Sequence, residues 1–116
     1  MKLFRLIICM AFIAVSCTSQ NCETINSNFS SYGEAVKTVR GADFNFTDKC
    51  DTKSSWIKSA KYYSCDNVKG YLIFKTDKKT YIHKDLSLDV WRKFKNAESI
   101  GSYYARNIKG RYQLKI

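Results

Sequence analysis

Of the side chains able to do chemistry in this chain, the cations are the most concentrated. Lys75, Lys78, Lys79, Lys84, Arg92, Lys93, Lys95, Arg106, Lys109, Arg111 and Lys115 crowd the C-terminal half, and between Lys75 and Ile116 only Asp77, Asp85, Asp89 and Glu98 oppose them. A field of one sign attracts polyanions and other anionic partners. Interleaved with it are Tyr71, Tyr81, Tyr103, Tyr104 and Tyr112, rings that stack on bases or sugars when exposed. Periodicity turns Tyr71 and Tyr104 inward, so most of these rings are expected to pack in a core. Tyr103, Arg106 and Lys109 are expected to project one basic, aromatic stripe from the last helix. The binding residues read from sequence are therefore Tyr81, His83, Lys84, Tyr103, Arg106, Lys109 and Arg111.

His83 is the single histidine, and an imidazole changes charge near neutral pH. On a strand it shares a face with Tyr81, and Asp85 would extend that face. A hydrogen-bonded imidazole at the surface accounts for it; a hydrolytic enzyme using His83 is the competing account. No nucleophile elbow, phosphate loop, zinc-protease helix or dinucleotide fingerprint occurs, so an enzyme is not expected, and no cofactor is called for. One histidine and cysteines at unsuitable spacings give no metal site.

Five cysteines are present, Cys9, Cys17, Cys22, Cys50 and Cys65. If the leader described below is removed, Cys22, Cys50 and Cys65 remain in an oxidising compartment. A Cys22 to Cys65 bridge is worth about 4 kcal/mol by loop entropy, against about 3 kcal/mol for Cys50 to Cys65. The first is preferred because it ties a weakly anchored arm to the core, while Cys50 sits in a polar stretch that reads as a loop.

These residues must be positioned by what remains of a chain of 116 residues, one domain in length. The beginning reads as an export signal: Lys2 and Arg5, an apolar run over 6–15, then small residues. That run is far short of the roughly 20 residues that span a bilayer. Cleavage is placed after residue 19, or after Ser16 as a lipoprotein signal with Cys17 the lipid acceptor, which would supply the sole membrane contact. Loss of Lys2 and Arg5 lowers the formal charge from +10 to +8, since no carboxylate precedes Glu23. With 45% apolar and 15% aromatic residues the composition is globular.

Residues 20–54 read as an N-terminal arm. Ser31-Tyr32-Gly33-Glu34 fits a capping box, and Tyr32, Ala35, Val36 and Val39 follow helical spacing up to Gly41. Phe44 and Phe46 alternate with Asp43 and Asn45 as a brief half-buried strand, and 47–54 reads as a polar linker. Residues 55–116 form the second unit: strands over 56–63, 71–74 and 81–83, with a turn at 77–79. A helix capped by Ser87 then buries Leu86, Val90, Phe94 and Ala97, with Trp91 near its edge. A second helix, capped by Ser99, repeats Ile100, Tyr104 and Ile108 and stops at Gly110. Strands followed by helices imply an α+β fold: a small antiparallel sheet of three or four strands packed against two C-terminal helices, with an N-terminal helical arm.

Residues 55–112 resemble the KTSC domain, a module named for its occurrence at the C-terminus of some lysyl-tRNA synthetases. The resemblance is carried by Ser55-Trp56-Ile57, the strand 71–74, Tyr81-Ile82-His83, Val90-Trp91 and the cluster Ala97, Ser99, Gly101, Tyr103, Tyr104 and Ile108. Two positions depart from it: His83 where a second Tyr is usual, and Ser87 where a Pro is common. The chain is similar to small exported bacterial members that pair an arm with a Tyr63-Ser64-Cys65 stretch. The resemblance implies the fold; the RNA binding suggested by the synthetase context conflicts with export. The expected function is an exported basic binding module, periplasmic, secreted or lipid-anchored, engaging an envelope polymer, a lipid headgroup or nucleic acid. The alternative is a protein interaction module of the envelope, with Trp91, Tyr103 and Tyr112 forming the patch.

Overall fold

A computed structural model describes residues 20–51, 54–114 and 116. The expected export signal and the lipid acceptor Cys17 lie outside the described residues. The elements run β1 (Gln20–Asn21), a 3-10 turn (Cys22–Thr24), α1 (Tyr32–Gly41), β2 (Ala42–Asp43), β3 (Phe46–Asp51), β4 (Ser59–Ser64), β5 (Lys69–Lys75), β6 (Thr80–Ser87), α2 (Leu88–Lys95) and α3 (Ile100–Asn107). β3 to β6 form a four-stranded antiparallel meander in that order, and β1 pairs with β2 in parallel. The expected α+β arrangement is what forms.

Period-two alternation gives this sheet two faces. Ala60, Tyr62, Leu72 and Phe74 meet Trp91 and Phe94 of α2 and Tyr104 of α3, together with Ile57, Leu86 and Ile108. Tyr63, Ile73 and Ile82 face the other way, onto Ala35 and Val39 of α1, Phe29 and Leu114. The arm helix therefore covers the face that α2 and α3 leave open, and the fold has three layers. Each helix starts where a serine hydroxyl satisfies a free backbone N–H: Ser31 accepts from Glu34, Ser87 from Val90 and Ser99 from Ser102.

Four local expectations are corrected. Residues 47–51, read as loop and linker, belong to the edge strand β3, in which exposed positions alternate with half-buried ones. Its Thr, Asp and Lys residues are poor core formers, but an edge strand needs only one half-buried face, and Phe46 and Cys50 supply the contacts with the core. Phe44 and Phe46 do not share a face: Phe44 meets Tyr63 and Tyr71 edge-on, whereas Phe46 meets Tyr62. Trp91, expected at the edge of its helix, is fully buried. Its ring stacks on Tyr62 at 5.4 Å and 11°, and its indole N–H donates to Asp48 at 2.8 Å. Asp85, expected beside Tyr81 and His83, is carried off that face by a bulge. Gly70 pairs with Leu86 and Leu72 with His83, so Lys84 and Asp85 stand opposite Tyr71 alone, and Asp85 adopts φ 59. The bulge flips the alternation and delivers Leu86, rather than Asp85, to the α2 and α3 side.

After α3 the chain turns at Gly110, whose φ of 80 is a conformation that glycine adopts without strain. The tail then returns along β6. Lys84 N–H donates to the Tyr112 carbonyl at 3.0 Å, and Gln113 bridges His83. The Tyr32 hydroxyl of α1 donates to the Leu114 carbonyl at 3.1 Å. The Cys22–Cys65 disulfide forms as preferred, joining the start of the arm to the end of β4, and Cys50 is free.

Candidate functional site

The returning tail, β6, α1 and α3 meet around a cavity of about 330 Å³. Tyr81, Ile82 and His83 come from β6, Tyr104 from α3, Tyr32 from α1, and Gln113 and Leu114 from the tail. Lys79 and Thr80, at the start of β6, and Lys109 and Gly110, after α3, complete the lining.

His83 lies within this cluster and is 6% exposed, which corrects the expectation of a surface imidazole. Tail and α3 cover it, a tertiary event that the strand pattern does not encode. Its Nε2 lies 3.0 Å from the Tyr104 hydroxyl, while Nδ1 is buried without a full hydrogen bond. Burial holds the His83 pKa below its ordinary 6.5, and the Tyr112 carbonyl opposes that only in part. Burial, with Tyr81 adding to it, raises the Tyr104 phenol, so this hydroxyl keeps its proton near neutral pH. The tautomer of the neutral ring sets which of Nε2 and the Tyr104 hydroxyl donates across this contact. Among the described residues no carboxylate is hydrogen-bonded to His83.

Lys79 sits over the Tyr81 ring at 4.7 Å, and the same ring stacks on Phe74 at 4.9 Å and 13°. Two partners thus already pack on the Tyr81 ring. Ion pairs among the described residues engage Lys58, Lys69, Lys93 and Lys95, so Lys79 and Lys109 keep their charge uncompensated. Among the described residues no Asp or Glu lines this cavity. By contrast, a larger open cavity of about 730 Å³ beside Trp56 and the start of α3 mixes Lys95 with Asp51 and Glu98.

Of the residues expected to bind, the structure gathers Tyr81, His83 and Lys109 here. Tyr103 and Arg106 line a different cavity along α3, beside Glu98 and Asn107. The helix ends at Asn107, so Lys109 leaves the stripe, and Tyr103 packs on Phe94. Lys84 is half-buried and serves the tail through its backbone, while Arg111 is exposed in the turn after α3. Sequence reasoning missed Lys79, Tyr32, Gln113 and the floor position of Tyr104. The alternation that places Tyr81 on the α3 side, followed one strand end back, leads to Lys79; nothing local marks Tyr32 or Gln113.

Among the described residues no helix is long and apolar enough to cross a membrane, and no group of His, Cys, Asp and Glu could hold a metal ion. No curated protein and no solved structure matches the chain. The KTSC domain profile matches residues 53–112, a span that takes in β4 to α3, both walls of the main core and most of the cavity lining. On that match, over more than half of its length, the chain belongs to the KTSC domain family.

Proposed function

We propose that this protein is an exported binding module that engages an anionic partner at the cavity beside β6. The observation that carries this reading is the pair Lys79 and Lys109, uncompensated at the rim of a cavity that no carboxylate among the described residues lines. Both lysines are exposed, so they attract an incoming anion through solvent in a salt-dependent way. The Cys22–Cys65 disulfide supports an oxidising compartment. Binding, rather than hydrolysis, suits a lone imidazole whose partner is a phenol, with no carboxylate to orient it.

Capture of an anionic group from an envelope component fits better than single-stranded nucleic acid. Stacking on bases needs free ring faces, yet Phe74 and Lys79 already pack on the Tyr81 ring, and Tyr104 is buried. The protein interaction reading draws less support, because the patch expected for it includes the fully buried Trp91. The exposed Tyr32, Trp56 and Val68 stand on α1, before β4 and before β5, respectively.

The test is a titration of the protein with polyphosphate, phosphatidylglycerol vesicles and an oligothymidylate over a range of salt. Binding to polyphosphate or vesicles is expected to weaken steeply with salt, and Lys79→Glu with Lys109→Glu should reduce it at least about tenfold. Affinity indifferent to both salt and charge reversal would overturn the reading.

A further inference from the structure

We infer that the cavity takes a small organic anion, a single flat ring bearing one carboxylate or phosphate. The inference rests on the anionic-partner reading and names the ligand class for that site. Size argues for it first. An apolar cavity of about 150 Å³ accommodates benzene, so about 330 Å³ has room for one ring with its charged group. Small-molecule sites begin near about 300 Å³, and nothing at this scale tracks a polymer.

The walls supply both halves of such a ligand. Ile82, Leu114 and Tyr104 close the buried side of the cavity with little exposed area, and the exposed Tyr32 ring supplies the aromatic surface. The rim supplies the charge. Lys79 is held in place by its contact with the Tyr81 ring, and the Lys109 backbone is fixed by donation to the Tyr104 carbonyl at 2.9 Å. The Lys79 ammonium, partly ordered by the Tyr81 ring, loses less freedom on binding than a loose surface lysine, while the Lys109 side chain is exposed and is brought to the rim by its backbone alone. The tail that closes one side is itself anchored, by Tyr32 to the Leu114 carbonyl and by Lys84 to the Tyr112 carbonyl. The backbone that frames the cavity is therefore in place before a ligand arrives.

Benzoate and phenyl phosphate are the probes, with benzamide, inorganic phosphate and polyphosphate as controls, each followed by NMR titration of isotope-labelled protein. Benzoate and phenyl phosphate should saturably shift the resonances of Ile82, Tyr104 and Leu114, and Lys79→Ala with Lys109→Ala should weaken them at least tenfold. Both lysines are on the surface, and an unchanged dispersion of amide signals would show that the double variant folds. Benzamide binding as tightly as benzoate would remove the role of the cations. Inorganic phosphate binding as tightly as phenyl phosphate would remove the role of the ring. Either result overturns the inference, as would aryl anions that fail to bind. In each of these cases salt-sensitive binding of polyphosphate would leave the broader anionic reading standing, and its absence would sink both.

Discussion

His83 Nε2 and the Tyr104 hydroxyl meet at 3.0 Å inside the fold, joining β6 to α3. Because burial lowers the His83 pKa, the native state prefers the neutral ring. Between the folded value and the unfolded value near 6.5, the unfolded chain binds more protons, so stability rises with pH over that interval. It is fully present above about pH 6.5 and is lost as pH falls below it. Asp48, Glu34 and Asp66 have lowered pKa values, and their contributions fade only as pH drops through the carboxylate range. Thermal midpoints measured from about pH 8 to about pH 5 should therefore fall below about 6.5, and His83→Gln should flatten that fall. A wild-type profile that is level in this window, or a fall unchanged by the substitution, would refute the assignment. Tyr104→Phe leaves the ring nitrogen buried without its partner and should cost about 1–3 kcal/mol.

The Cys22–Cys65 bridge spans 43 residues and holds the arm that carries α1 against the sheet. Replacing both cysteines by serine should lower unfolding free energy by about 4 kcal/mol, chiefly by freeing the unfolded chain. Denaturant titrations of the two proteins check it. A loss under about 1 kcal/mol would mean that the arm adds little to the cooperative unit.

Asp48 on β3 accepts both from the Trp91 indole at 2.8 Å and from Lys95 at 2.9 Å. Burial pushes its pKa upward, but the hydrogen bonds from Lys95 and Trp91 and the Lys95 charge together hold it below the ordinary 3.8. Asp48→Ala strands the indole N–H in the core and should cost about 1–3 kcal/mol. Lys95→Ala removes only a half-exposed partner and should cost under about 1 kcal/mol. Equal losses in chemical denaturation would show that the ion pair, rather than the indole bond, is what matters.

Local chemistry made much of this protein legible from its residues. Ser31, Ser87 and Ser99 cap helices because a hydroxyl next to an apolar repeat satisfies free N–H groups within three residues, and the signal is contained in that stretch. The strands around Tyr62, Ile73 and Ile82 announced themselves by β-branched and aromatic side chains. Loop entropy and the placement of the cysteines were enough to favour Cys22 with Cys65. The edge strand β3 was hidden because a strand with a single half-buried face needs few apolar residues, and its polar run looks like a linker. Only the tertiary structure decided that Asp85 leaves its face, since a bulge depends on the register of β5 against β6. It also decided that His83 is buried and that Lys79, Lys109 and Tyr32 surround one cavity. Those three residues come from a strand end, a post-helix turn and the N-terminal arm. Their proximity arises from packing across the chain, which no local spacing records.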